Sequence, residues 1–138
     1  MVTSKKKEKI SSEDISTDKL MEKVVRILDD KHGIDITIIN VSSMTSLCRY
    51  FVICSGESRV QLRAMAEELQ YRLKHDDKLL PISLEGYPDS GWILLDYFDI
   101  IIHLFDLELR DFYRLERLWG QGEFKELEEI IPELKERQ

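Results

Sequence analysis

The junction Ser55-Gly56-Glu57-Ser58 puts a glycine where an apolar run ends and a serine where an amphipathic one begins. Free backbone N–H groups and the dipole at such a helix start favour an anion, so a phosphate or nucleotide could sit there. A tight turn with an ordinary cap is the preferred reading, because one glycine is weak and no Walker-type lysine follows. His103 alternates with Ile102 and Leu104. A core-edge or surface histidine bonded to a neighbour fits better than a catalytic base, since spacing ties no serine or cysteine nucleophile to it. His32 and His75 fall at expected helix C-termini, where partial positive charge is stabilising. Cys48 and Cys54 are six residues apart, a spacing of neither a zinc knuckle nor a redox Cys-x-x-Cys pair, so both read as free thiols in a reducing compartment.

Metal-dependent nucleotidyl transfer needs two or three carboxylates on adjacent strand positions to hold Mg²⁺. The chain has no Asp-x-Asp pair; Asp29-Asp30 and Asp76-Asp77 fall at helix ends, and Asp96 and Asp99 flank an expected turn. That chemistry is therefore disfavoured. The segment from Glu85 to Phe105 gathers Tyr87, Trp92, Tyr97 and Phe98 with Glu85, Asp89, Asp96 and Asp99. Aromatic anchors ringed by carboxylates describe a surface for a basic protein, the rings giving desolvated contact and the acids steering. Trp92 and Tyr97 packed in a core, with the acids as solvated turn residues, accounts for the same pattern, and the sequence leaves both readings open.

The elements that hold these residues follow from periodicity. Ser16 or Thr17 caps a helix with Leu20, Val24, Ile27 and Leu28 at helical spacing, ended by His32-Gly33. Ile34 to Val41 is β-branched and reads as a strand, and Ser42 to Ser46 as a loop. Tyr50 to Cys54 is apolar throughout, as in a strand covered on both faces. Ser58 and Gln61 form a capping-box pattern ahead of the stripe Leu62, Met65, Ala66, Leu69 and Leu73. Leu79 to Glu85 predicts a short strand, and Trp92 to Leu95 with Ile100 to Phe105 an antiparallel hairpin of uncertain register. Asp106 caps a helix with Leu109, Phe112, Leu115 and Trp119, and Phe124 to Arg137 predicts a last acidic helix made irregular by Pro132. The sum is one α/β domain, a mixed sheet of about five strands with flanking helices.

At 138 residues, 43% hydrophobic and 34% charged, the chain fits a single core and excludes disordered, collagenous and coiled-coil classes. Lys5, Lys6, Lys7 and Lys9 against Glu8 make the first nine residues +3, which leaves −10 of the net −7 on the remainder. An acidic body is repelled by a phosphate backbone and attracted to a basic protein surface, so no direct sequence-specific nucleic-acid binding is expected. The longest wholly apolar run, Tyr50 to Cys54, is far below the roughly 20 residues of a membrane span. The first twenty residues carry four acids and no arginine, unlike a transit peptide, so a cytoplasmic location is expected. The chain divides into a flexible basic tail (1–13), a domain (14–122) and an acidic C-terminal helix (123–138).

Several short motifs then stand in one order: Tyr50-Phe51-Val52-Ile53 with Ser55-Gly56; Ser58, Gln61, Ala64 and Ala66; Glu85-Gly86-Tyr87; Trp92-Ile93-Leu94-Leu95-Asp96-Tyr97; Asp99; His103-Leu104-Phe105; and Arg110-Asp111-Phe112-Tyr113-Arg114-Leu115-Glu116-Arg117-Leu118-Trp119. Over roughly residues 19–120 this resembles the ribosomal silencing factor family, also called Iojap-related. The resemblance implies a nucleotidyltransferase-like fold without the active site, and a translational repressor that is not an enzyme. It would bind the large ribosomal subunit through its universal protein fourteen and sterically block subunit joining, with no cofactor, metal or catalytic residue. Homodimers occur among members.

Two residues depart from the pattern. Arg49 stands where members commonly have an acid, and Phe98 where many have glycine, so the turn is expected to differ and to expose an apolar contact. The partner-binding residues expected are Glu85, Tyr87, Trp92, Leu95, Asp96, Tyr97 and Asp99. A large-subunit assembly factor using the same surface is the alternative, and a metal-dependent nucleotidyltransferase a weaker one.

Overall fold

Ser16 opens the first helix, α1 (Thr17–Asp30), its hydroxyl accepting the Lys19 N–H at 3.3 Å and so satisfying one donor of the open first turn. The computed structural model describes residues 16–87, 91–108 and 123–125. α1 buries Leu20, Met21, Val24, Val25, Ile27 and Leu28, the stripe its periodicity predicts. His32, in the left-handed region at φ 63°, donates its N–H to the Asp29 carbonyl, and Gly33 donates to that of Leu28, a Schellman-type ending. The glycine expected to end this helix is needed for closeness and not for its dihedral: a Cβ on Gly33 would collide with Cys54 Sγ.

Two strands follow, β1 (Ile34–Asn40) and β2 (Tyr50–Gly56). They pair antiparallel with a one-residue slip between Ile34 and Thr37, where Asp35 takes φ 50°. β2 is buried at every position, which confirms the strand expected to be covered on both faces.

Helix α2 (Arg59–Asp77) starts as its capping pattern predicts. The Ser58 hydroxyl accepts the Gln61 N–H at 3.1 Å, and the Gln61 side chain reaches back to accept the Glu57 N–H. Lys78, left-handed at φ 59°, ends it. Lys23 of α1 bonds both Asp76 (3.0 Å) and Asp77 (2.6 Å), tying the two helices together at this end.

The rest of the sheet comprises β3 (Ser83–Tyr87), β4 (Trp92–Asp96), β5 (Ile100–Asp106) and β6 (Glu123–Lys125). β3 begins later than the expected Leu79, because Pro81 has no N–H to give a ladder; Ile82 is the first residue to bond β4, through the Asp96 carbonyl. The order is β3-β4-β5-β2-β1-β6, with β2 and β5 parallel and the other pairs antiparallel. The β4–β5 hairpin is present, its register now fixed as Trp92↔Phe105 through Asp96↔Ile101. The fold is thus the single α/β domain with a mixed sheet that the sequence predicts.

The acidic C-terminal helix expected from residue 123 does not begin there. Residues 123–125 are extended against β1, with Ile38↔Lys125 and Asn40↔Glu123. Without them β1 would be an open edge with unpaired N–H and C=O groups, and a three-residue strand covers it. Of the helix expected after Asp106, residues 107–108 are helical, and the rest of it, like the remainder of the last one, lies outside the described residues.

α1 and α2 pack on one face of the sheet over Ile36, Ile38, Tyr50, Val52, Cys54, Ile93, Leu95, Tyr97, Ile100, Ile102 and Leu104. On the other face Ile39, Val41, Cys48, Phe51, Ile53 and Phe105 form a second cluster, with Trp92 and Ile101 against it. The two thiols, both buried and neither in a disulfide, therefore belong to different cores. Among the described residues no helix is long and apolar enough to cross a membrane.

Candidate partner-binding surface

Strand alternation divides the expected site residues between the two faces of β4. Trp92, Leu94 and Asp96 are half-buried, whereas Ile93 and Leu95 are buried beneath the helices. Trp92 packs against Phe105 with ring centroids 6.5 Å apart, and Phe105, His103 and Phe51 continue an aromatic row across β5 and β2. Glu85 is exposed opposite Leu94, and Tyr87 occupies the register position opposite Trp92. Gly86, between them, has φ 79°; a Cβ there would collide with the Trp92 carbonyl oxygen and come within 2.8 Å of indole Cε3. Gly86 therefore lets the β3 backbone lie close against Trp92.

Leu95 and Tyr97 do not join this surface. Leu95 is fully buried and Tyr97 is 5% exposed, both in the helix-side core. Neither can touch a partner in this conformation, because the side of β4 that carries Ile93 and Leu95 faces α1 and α2. Burial also pushes the Tyr97 phenol up to about 12. They pack beneath the strand that carries Trp92 and Asp96.

The two turn acids are held, not merely solvated. Asp96 Oδ1 accepts the Phe98 N–H at 2.8 Å, and the Tyr97 N–H reaches the Ile100 carbonyl at 2.8 Å. The exposed Asp99 carboxylate accepts the Thr17 hydroxyl at 3.0 Å, while its carbonyl accepts the N–H groups of Arg49 (2.8 Å) and Tyr50 (3.0 Å). Asp99 thus joins the hairpin to the start of α1 and to the end of the 41–49 loop. Burial, then the Asp96 and Asp99 carboxylates, raise the Cys48 thiol to about 11, so it stays protonated and unreactive at neutral pH. Arg49 reaches Asp18 at only 4.0 Å and lies 5.5 Å over the Tyr50 ring, while the Tyr50 hydroxyl donates to Asp18 at 2.8 Å. The cation at this departure thus lies near the acid at the start of α1 in a long, exposed ion pair.

Sequence reasoning missed the part played by Thr17 and by the 41–49 loop. No local pattern links them to the hairpin across about eighty residues, although the exposed apolar residues Met44 and Leu47 were visible. The apolar contact expected at Phe98 is exposed: the residue is 43% exposed and holds φ 82°.

The competing sites lose support. At the Gly56 junction the helix start is closed by Ser58 and Gln61, as the ordinary-cap reading predicts. The depression beside it, about 240 Å³, is lined by Glu57, Asp106 and Glu108 against the single cation Arg59, a poor place for phosphate. His103 is 8% exposed and neither ring nitrogen has a hydrogen-bond partner among the described residues, so it is a core histidine and not one bonded to a neighbour. Among the described residues no three His, Cys, Asp or Glu side chains are grouped so as to hold a metal ion.

The chain is similar to known proteins. A family model described as "Ribosomal silencing factor during starvation" matches residues 14–138. The chain is 43% identical over 104 residues to the ribosomal silencing factor of Zymomonas mobilis, covering 75% of this chain and 77% of that one. It is 32% identical over 117 residues to the corresponding factor of Halalkalibacterium halodurans, 85% of this chain and 99% of that one. A mouse protein named for mitochondrial assembly of the ribosomal large subunit is 32% identical over 108 residues, 75% of this chain and 46% of that one. The crystal structure of a Chromobacterium violaceum protein superposes with a TM-score of 0.73 at 29% identity, covering 77% of this chain and 88% of that one. A crystal structure from Bacillus halodurans gives 0.68 at 30%, with 78% and 97% covered.

Proposed function

The chain belongs to the ribosomal silencing factor family, and on that premise we propose that it binds the large ribosomal subunit through its universal protein fourteen and blocks subunit joining by occupying space. The observation that carries the proposal is the outer face of β3–β4–β5, which presents the exposed Glu85, a half-buried Trp92 that lies on Gly86 and is backed by Phe105 and, at the other end of β4, Asp96, with Asp99 beyond the turn. Such a surface suits a basic protein: the indole and its backing supply rigid contact area, and the acids supply steering and orientation. Glu85, Trp92, Asp96 and Asp99 are the contact residues, with Tyr87 at the register position beside Trp92; Leu95 and Tyr97 serve from beneath. On this reading the working domain runs past residue 122 to include β6, the factor acts in the cytoplasm, and it transforms nothing chemically. A homodimer is compatible with the reading and not required by it.

The test is cosedimentation with purified large subunits. Trp92→Ala should weaken binding by about 2 kcal/mol or more, and Asp96→Asn, which keeps the Oδ1 acceptor for the Phe98 N–H, should mainly slow association. Unchanged cosedimentation of both variants would remove this surface from the account. A second reading, assembly of the large subunit, is favoured by the name of the mouse relative. It uses the same surface and differs in timing, so a factor found on immature large particles and absent from mature ones would support it.

A further inference from the structure

We infer that Phe98 and Leu47 form an apolar tip, beside the acidic surface, that inserts into the same basic partner and extends the docking site onto the 41–49 loop. The inference rests on the reading above and adds residues to it. Phe98 sits at φ 82°, a conformation that a bulky side chain rarely adopts, and the residue is 43% exposed. Strain of this kind persists only where surrounding bonds over-determine it. Here the Asp96 carboxylate holds the Phe98 N–H, the Tyr97 N–H spans to Ile100, and the Asp99 carbonyl and carboxylate are fixed by Arg49, Tyr50 and Thr17. Glycine would take the same dihedrals without strain, so the chain gives up stability to keep an aromatic ring at the surface.

Leu47 is the second member. It is 82% exposed, and it precedes Cys48, whose thiol feels the Asp96 and Asp99 carboxylates, and Arg49, whose N–H bonds Asp99. The loop is closed at its base by the Val41 N–H to the Arg49 carbonyl and internally by the Leu47 N–H to Thr45 Oγ1, so Leu47 is presented on a hydrogen-bonded loop and not on a loose one. A single exposed leucine is ordinary. A strained exposed phenylalanine between Asp96 and Asp99, and an exposed leucine two residues before the Arg49 N–H that bonds Asp99, make an amphipathic tip. Its charge fixes the occupant as a cationic protein surface with an apolar hollow, and not nucleic acid, whose phosphates Asp96 and Asp99 would repel.

The experiment measures binding to purified large subunits and thermal melting for wild type, Phe98→Gly, Phe98→Ala, Leu47→Ser and Trp92→Ala. Phe98→Gly removes the ring and relieves the backbone, so its melting temperature should equal or exceed that of wild type while affinity falls about tenfold. Phe98→Ala keeps the Cβ and should lose affinity to the same degree, which excludes added loop flexibility as the cause. Leu47→Ser should lose about fivefold. If the Phe98 and Leu47 variants bind within twofold of wild type while Trp92→Ala is impaired, the tip is wrong and the acidic surface stands. If wild type itself fails to bind large subunits, both fall. A Phe98→Gly variant that melts well below wild type would overturn the strain argument.

Discussion

His103 makes stability depend on pH in a calculable way. The ring lies between Phe51, at 5.1 Å, and Phe105, at 6.2 Å, is 8% exposed, and has no hydrogen-bond partner among the described residues. Burial therefore lowers its affinity for a proton from 6.5 to about 4. As pH falls, the unfolded chain takes up the proton first, so the contribution is intact above pH 6.5 and is lost as pH drops toward 4. At about 1.4 kcal/mol per pH unit the loss is about 1.4 kcal/mol at pH 5.5 and about 2.5 kcal/mol at pH 4.5, a large share of a typical 5 to 15 kcal/mol. Replacing His103 with Leu, of similar volume, removes the titrating group and the two unpartnered nitrogens. Urea unfolding followed by circular dichroism at pH 7.5, 6.5, 5.5 and 4.5 gives the slope for both proteins. Carboxylates titrate in both, so the difference between the two curves is the readout. The variant should match or exceed wild type at pH 7.5 and lose less on acidification by the amounts above. Parallel curves would show that the histidine is protonated equally in both states, and the reasoning would fail.

Other outcomes follow from the same structure. Gly86→Ala forces a Cβ into the Trp92 carbonyl and indole at a left-handed position, and should destabilise by about 3 kcal/mol or more, with a shifted Trp fluorescence maximum. Leu95→Ala opens a cavity in the helix-side core and should cost about 2 to 5 kcal/mol in urea unfolding, while the fraction that remains folded binds large subunits normally. The pair Glu85→Gln with Asp96→Asn should slow association measured by stopped flow and flatten its dependence on salt, with a smaller change in dissociation.

The fold was legible wherever the signal is local. Ser16, Ser58 and Gln61 act at the helix starts where cap chemistry puts them, and the uninterrupted Tyr50 to Cys54 run marks the strand with cores on both sides. What depends on distant parts was not legible. β6 is three residues whose pairing with β1 leaves no periodicity to detect. The site was half visible for a related reason: in Trp92-Ile93-Leu94-Leu95-Asp96-Tyr97 both alternate sets carry apolar residues, so only the side on which α1 and α2 pack decides that Trp92 and Asp96 face out and Leu95 and Tyr97 face in. The anchoring of Asp99 by Thr17 crosses 82 positions, beyond any local pattern. Phe98 was legible as a departure, but that it holds a left-handed backbone could be seen only in three dimensions.

The central claim is that this factor acts by steric exclusion through the acidic, aromatic edge of its sheet. Purified small and large subunits are mixed at a magnesium concentration that joins them, and light scattering follows joining as the protein is titrated in. Joined particles should decline in proportion to occupied large subunits, and Trp92→Ala should restore joining at the same protein concentration. Saturated large subunits that still join at the full rate and extent would contradict the account.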